Sequence, residues 1–271
     1  MFNSQDIAES VYSGESLSQG LNSRPIANSK ICKKLVSLTD DAYCTVRLYQ
    51  GIFSHEPAIV AGVLRIANSQ ALKNPILTLS EAISFLGWKK IRGIVSAICL
   101  ANISNKENPI LELVWKQCCL RTFICSVLAA SKSTETKAKV EQICYFLSLG
   151  KFQMAAREPE RYAEVLNLVK SGCNLNEAEQ AKFGFIGYNL SVELCQAWKL
   201  PEFFSKSISD YALGRSKCEA QEVLALGELL SIAVIYENSQ EFEQKLNIAN
   251  LDKILTRTKK ELECTKKLSG L

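Results

Sequence analysis

Between Ser54 and Val95 the chain reads SHEPAIVAGVLRIANSQALKNPILTLSEAISFLGWKKIRGIV, and this stretch restricts the fold more than any other. Its first part has helical spacing. Ile59, Val60, Val63, Leu64 and Ala67 recur on one face, Glu56 and Pro57 suit an opening turn, and Asn68 and Ser69 close the helix. After a loop with Asn74 and Pro75, Thr78 and Glu81 have the spacing of a capping box, in which hydroxyl and carboxylate satisfy free backbone N–H groups reciprocally. Ala82, Ile83, Phe85 and Leu86 then form a short apolar helix that ends at Gly87. Nothing here alternates with the period of two that a half-buried strand needs.

The rest of the chain follows the same rule, so the fold is expected to be all-α. Residues 1–24, rich in Ser, Gly, Asn and Gln, read as a loosely attached leader. Residues 25–105 form an N-terminal helical lobe of about five helices, with Ile31, Leu35 and Leu38 marking one face and Asp40 placed to cap the next helix. Trp88–Ile103 closes that lobe, and the polar break from Asn105 to Pro109 separates it from a second helical lobe, 106–214. There the helix from Ile110 to Ser131 is apolar over too broad a surface to face water, which makes it central. One helix is expected over Ala138–Ala156 and another from Pro159 to Gly172. Asn174 and Glu177 have capping-box spacing, and the helix Phe185–Leu200, bearing Leu190, Leu194 and Trp198, is stopped by Pro201. Residues 215–271 supply extra C-terminal helices, apolar from Val223 to Ile235 and then charged.

Composition excludes several function classes. The formal charge of +4 arises from 32 basic and 28 acidic residues without long runs, so no strong field draws in nucleic acid. The first residues carry Asp6 and no apolar core of a secretory signal, and Gly93–Ile103 is too short to span a bilayer, which takes about 20 apolar residues. A cytoplasmic location without membrane contact is expected. The 11 cysteines contain no C-x-x-C pair and read as reduced, buried thiols rather than a disulfide scaffold.

The EPAIVAGVLRIANS helix, the TLSEAISFLG turn-helix and WKKIRGIV, in this order, resemble the bacterial HDOD family, the HD-related output domain. Trp115, YFLSLGKFQM (Tyr145–Met154) and FGFIGYNLSVELCQAWKLP (Phe183–Pro201) extend the likeness over residues 25–213. The signature positions are Pro57, Gly87, Trp115, Gly150, Trp198 and Pro201. The resemblance implies a two-lobed fold with an HD-like second lobe and a place in signal transduction. It also implies kinship to HD-type metal-dependent phosphohydrolases, whose sites use several histidines and aspartates. Registered on Gly150, the His-Asp pair of that motif falls on Leu147 and Ser148. Registered on Trp198, later histidine positions fall on Gly187, Tyr211 and Ala212. None is a credible metal ligand.

Independently of that register, the chain holds one histidine, His55, in a polar loop where a surface position is expected. Asp210 and Glu193 are the fallback carboxylates for a magnesium ion, with solvent-facing helix charge as their ordinary role. P-loop, dinucleotide-binding and serine-hydrolase motifs are absent. The expected function is therefore a non-enzymatic regulator with no catalytic residue, metal or cofactor, acting on protein partners, with homodimerisation open. A residual carboxylate-dependent phosphohydrolase and a weak nucleic-acid binder are the alternatives. Candidate interaction residues are Arg65, Asn68 and Ser69 on one helix edge, which helix termination also explains, and Trp88, Lys89 and Arg92, which a tryptophan covered by basic side-chain stems also explains.

Overall fold

The computed structural model describes residues 26–38, 44–69, 72–102, 108–131, 133–214, 223–225, 227–228 and 231. The expected leader, the Asp40 cap, most of the Asn105–Pro109 break and nearly all of the C-terminal helices lie outside these residues.

Among the described residues the secondary structure is helical, without strands. Five helices come first: α1 (Ser29–Ser37), α2 (Val46–Phe53), α3 (Pro57–Ala67), α4 (Leu79–Leu86) and α5 (Trp88–Asn102). Helix α3 is their centre. All its residues from Pro57 to Leu64 are buried, and α4 and α5 pack on it. The capping box at α4 is present, with Glu81 N–H donating to the Thr78 hydroxyl at 3.2 Å and Thr78 N–H to the Glu81 carboxylate at 3.0 Å. Asn68, at the end of α3, does more than terminate it. Its amide donates to the Leu64 and Ile76 carbonyls and accepts the Ile76 N–H, each at 2.9 Å, and so ties the following loop back to the helix.

The second group is α6 (Pro109–Leu128), α7 (Thr134–Leu147), α8 (Leu149–Arg157), α9 (Pro159–Lys170), α10 (Leu175–Phe183), α11 (Gly187–Ala197) and α12 (Glu202–Ala212), with a short 3-10 turn at Ala129–Ser131. Helix α6 is capped by Asn108, whose side chain accepts the Ile110 and Leu111 N–H groups at 3.0 Å, and it carries buried residues around most of its circumference. Trp115 and Trp198 are both buried.

Three expectations change. The single helix over Ala138–Ala156 is two, α7 and α8, which meet at Ser148. At α10 the capping box does not close: the Asn174 side chain accepts the Asn176 N–H at 2.9 Å, without a reciprocal Glu177 bond. Pro201 does not merely stop a helix; it is the N-cap residue of α12, whose Phe204 and Ile208 are fully buried.

The α8–α11 crossing depends on two glycines. A Cβ on Gly150 would overlap the Gly187 carbonyl oxygen and stand 2.9 Å from its carbon, and one on Gly187 would lie 2.8 Å from Lys151 Cγ. The Ser191 hydroxyl accepts the Gly150 N–H at 2.8 Å across this close approach.

Candidate functional site

Three places among the described residues combine polar side chains with burial or a cavity. The first lies inside the second lobe. Arg121 on α6 and Lys151 on α8 are each only 1% exposed, and both reach Glu228, which belongs to the described part of the C-terminal section. Lys151 Nζ is 2.5 Å from Glu228 Oε1, and Arg121 Nη1 pairs with Glu228 Oε2. The other arginine nitrogen donates to the Ser148 hydroxyl at 2.6 Å and to the Cys144 carbonyl at 2.5 Å.

Burial alone would push the Glu228 carboxyl up, but Lys151 and Arg121 more than reverse this and hold it down at about 2. Burial likewise works against the Arg121 charge, and Glu228 restores it, leaving Arg121 firmly protonated. Beside this cluster the Glu179 carboxylate accepts the Gly187 N–H at 2.7 Å and the Tyr162 hydroxyl at 2.8 Å. Burial raises Glu179 above the ordinary carboxylate range despite Lys151, Gly187 and Tyr162. Tyr188, ring to ring with Tyr211 at 5.3 Å, places its face under Lys151 Nζ at 4.7 Å.

The positions assigned from the sequence to lost HD ligands gather here in part. Ser148 binds Arg121, Gly187 lies against Lys151 and Glu179, and Tyr211 feels the Glu228 charge. Leu147 is fully buried and carries no ligating atom on its side chain, while Ala212 is half-buried at the end of α12. These residues do not fit a divalent ion. Two buried cations converge on this cluster and the one carboxylate between them is already shared, so an added divalent ion would meet positive charge rather than free negative ligands. Among the described residues no group of three or more His, Cys, Asp or Glu side chains is arranged to hold a metal. Asp210 and Glu193, the fallback carboxylates, are half-buried on α12 and α11.

The second place is the cleft between the two groups of helices. His55 is not the solvated loop residue expected: it is half-buried, its Nδ1 lies 3.2 Å from the Tyr145 hydroxyl, and its carbonyl accepts the Cys119 thiol at 3.7 Å. Burial lowers the His55 pKa below its ordinary value and raises that of Tyr145. Next to it Glu56 is 0% exposed, and burial pushes its carboxyl up to about 8, only partly offset by the Asn28 and Ala58 N–H groups and the Trp115 indole. A cavity of about 340 Å³ opens alongside, lined from both lobes.

The third place is the outer face of α3 and α5. Arg65 and Lys90 stand at a groove of about 580 Å³ floored by Gly62, Ile94 and Ile98, and Leu100 nearby is 59% exposed. Trp88 packs edge-on against Tyr49 at 5.5 Å, Lys89 is exposed and Arg92 half-exposed. Ser69 is exposed, its hydroxyl donating to the Ile66 carbonyl at 2.8 Å. The interaction candidates thus divide: Arg65 lines this groove, whereas Asn68 is committed to the loop described above.

Arg121, Lys151, Glu228 and Glu179 are not singled out by the sequence, and Glu56 is read there only as part of a helix's opening turn. Each of the first three is a lone charge within an apolar run, CCLRTFIC, LSLGKFQMAA and LALGELL, and that pattern was the available signal.

No curated protein matches the chain. Among solved structures it resembles the MmoQ response regulator of Methylococcus capsulatus str. Bath, at 17% identity over 92% of this chain and 99% of that one, with a TM-score of 0.63. It also resembles a virulence factor of Campylobacter jejuni subsp. jejuni, at 15% identity over 86% and 82% of the two chains, with a TM-score of 0.58. The HDOD domain profile matches residues 27–212, the span in which the capping box, the Gly150–Gly187 crossing and both buried tryptophans lie, and the chain therefore belongs to the HDOD domain family.

Proposed function

We propose that this protein is a cytoplasmic, non-enzymatic regulator that works in signal transduction through protein contacts. The observation that carries the reading is the Arg121–Glu228–Lys151 cluster. In the core of the lobe related to metal-dependent hydrolases, this chain places two buried cations around one carboxylate, an arrangement that stabilises a scaffold and repels a catalytic cation. The structural relative described as a response regulator agrees with a regulatory setting.

The contact surface is the α3–α5 face, where Arg65 and Lys90 flank an apolar groove and Leu100 stands out to solvent. Such a face suits a partner segment with acidic residues beside apolar ones, its apolar part driving burial and its charges setting register. A photo-crosslinking residue at the exposed Ala97, used in the native host, tests this. A discrete adduct that disappears on reversing the charge at Arg65 and Lys90 supports the reading. Adducts indifferent to that reversal, or none, would remove the surface from it.

A further inference from the structure

The cleft cavity combines polar and apolar lining in a way that selects ligand chemistry. Its one formally charged lining side chain is Glu141 on α7; among the described lining residues there is no lysine or arginine. Beside Glu141, Gln142 is only 5% exposed, and its Oε1 has no hydrogen-bond partner among the described residues. A buried amide oxygen left unpaired costs about 1–3 kcal/mol, so its presence on the wall of a cavity points to a donor that arrives with a ligand. His55, neutral because of its burial, and the protonated Tyr145 hydroxyl add no charge. The N-terminus of α4 reaches the same cavity at Leu79 and Ser80, but the Glu81 carboxylate already accepts the Leu77 and Thr78 N–H groups there at 3.0 Å. Opposite these polar groups stands the half-buried Phe123, with the buried Trp115 and Ile52 behind it, an apolar wall for a flat body.

We infer that the cleft is a binding site for a small organic amine, whose N–H end is received by Glu141 and Gln142 and whose apolar body lies against Phe123, backed by Trp115. Anionic ligands, nucleotides among them, are disfavoured because no positive side chain among the described lining residues meets their charge. The site joins helices of both lobes, so an occupied cleft favours one lobe arrangement over others, which deepens the regulatory reading by naming the class of its input. The inference rests on that reading only for its biological meaning; the binding itself stands or falls separately.

The test uses the full chain and two probes with one indole body, tryptamine and indole-3-acetate, followed by isothermal titration calorimetry. For a ligand of this size Kd on the order of 0.1–1 mM is expected for tryptamine, with the acid at least ~10-fold weaker. Glu141→Gln, a same-size change at a half-exposed position, should weaken tryptamine by ~10-fold and should not weaken the acid, whose repulsion by Glu141 it removes. Gln142→Leu, checked for folding by circular dichroism, should weaken tryptamine as well. Absence of saturable tryptamine binding, equal binding of the acid, or binding that ignores Glu141→Gln overturns the inference. Loss of the crosslinked adduct at Ala97 with intact tryptamine binding would instead count only against the partner surface.

Discussion

Replacing Glu228 by Gln keeps the shape of the side chain and removes the one negative charge that Arg121 and Lys151 share. The cost can be worked from the carboxyl itself. Moving it from 4.5 to about 2 corresponds to ~3 kcal/mol of preference for the charged form, at about 1.36 kcal/mol per pH unit. Breaking a buried pair by removing one partner costs about 3–5 kcal/mol, so ~3 kcal/mol is the expected loss at pH 7. For a chain of this size that lowers the melting temperature by roughly 6–12 °C. The sign with pH follows from the depressed carboxyl. Its stabilisation is complete above the ordinary 4.5 and is lost as pH falls from there towards about 2, so wild type and variant should converge in that window. Urea unfolding followed by circular dichroism at pH 7 and through the acid range measures both. Lys151→Met combined with Glu228→Gln should recover part of the loss, because one uncompensated cation leaves with the carboxylate. A loss under about 1 kcal/mol at pH 7, or parallel acid profiles, would refute the reasoning.

Glu56→Gln should act in the opposite sense. The buried carboxyl titrates at about 8, above its ordinary 4.5, so its penalty is absent at low pH and grows as pH rises between these values. The variant should therefore melt higher than wild type at pH 9 and equally at pH 4, as a pH series of melting curves will show. Gly150→Ala should destabilise by about 3 kcal/mol, since the added methyl meets the Gly187 backbone rather than a movable side chain, and chemical unfolding checks it. Among the described cysteines, Cys44 and Cys173 should be alkylated first, because the others are buried and burial raises the thiols of Cys118, Cys119, Cys144 and Cys195. Peptide mapping after brief iodoacetamide treatment reads the order.

How far the sequence disclosed this molecule depends on whether a feature is local. The α3 pattern, the Thr78–Glu81 capping box and the proline at the start of α9 are written within a few residues, and each appears in the structure. The break at Ser148 was not legible as one, because YFLSLGKFQM keeps an apolar periodicity across it and the turn is set by packing against α11 and by the Arg121 bond to Ser148. Helix α12 is hard to read from the sequence although Phe204 and Ile208 have helical spacing, since Pro201 marks the end of one helix and the start of the next at the same place. The central cluster joins residues 77 and 107 positions apart, and no spacing rule links such positions. What sequence does carry is the three isolated charges in apolar runs. Each alone would be costly to bury, and the two positive and one negative among them can answer one another only in the folded chain. His55 looked solvated because its neighbours Ser54 and Glu56 are polar, yet Glu56 is fully buried and Tyr145 reaches the imidazole from the other lobe.

On the proposed function, two buried cations stand in the HD-like lobe in place of a bound metal. Elemental analysis of the full chain, purified without chelator and then equilibrated with Mn²⁺, Fe²⁺, Ni²⁺, Zn²⁺ or Mg²⁺, tests it most directly when joined to a turnover assay on nucleotides and cyclic dinucleotides. No ion should be retained in stoichiometric amount, and none should support hydrolysis. A stoichiometric ion, with hydrolysis that Glu228→Gln abolishes, would contradict it.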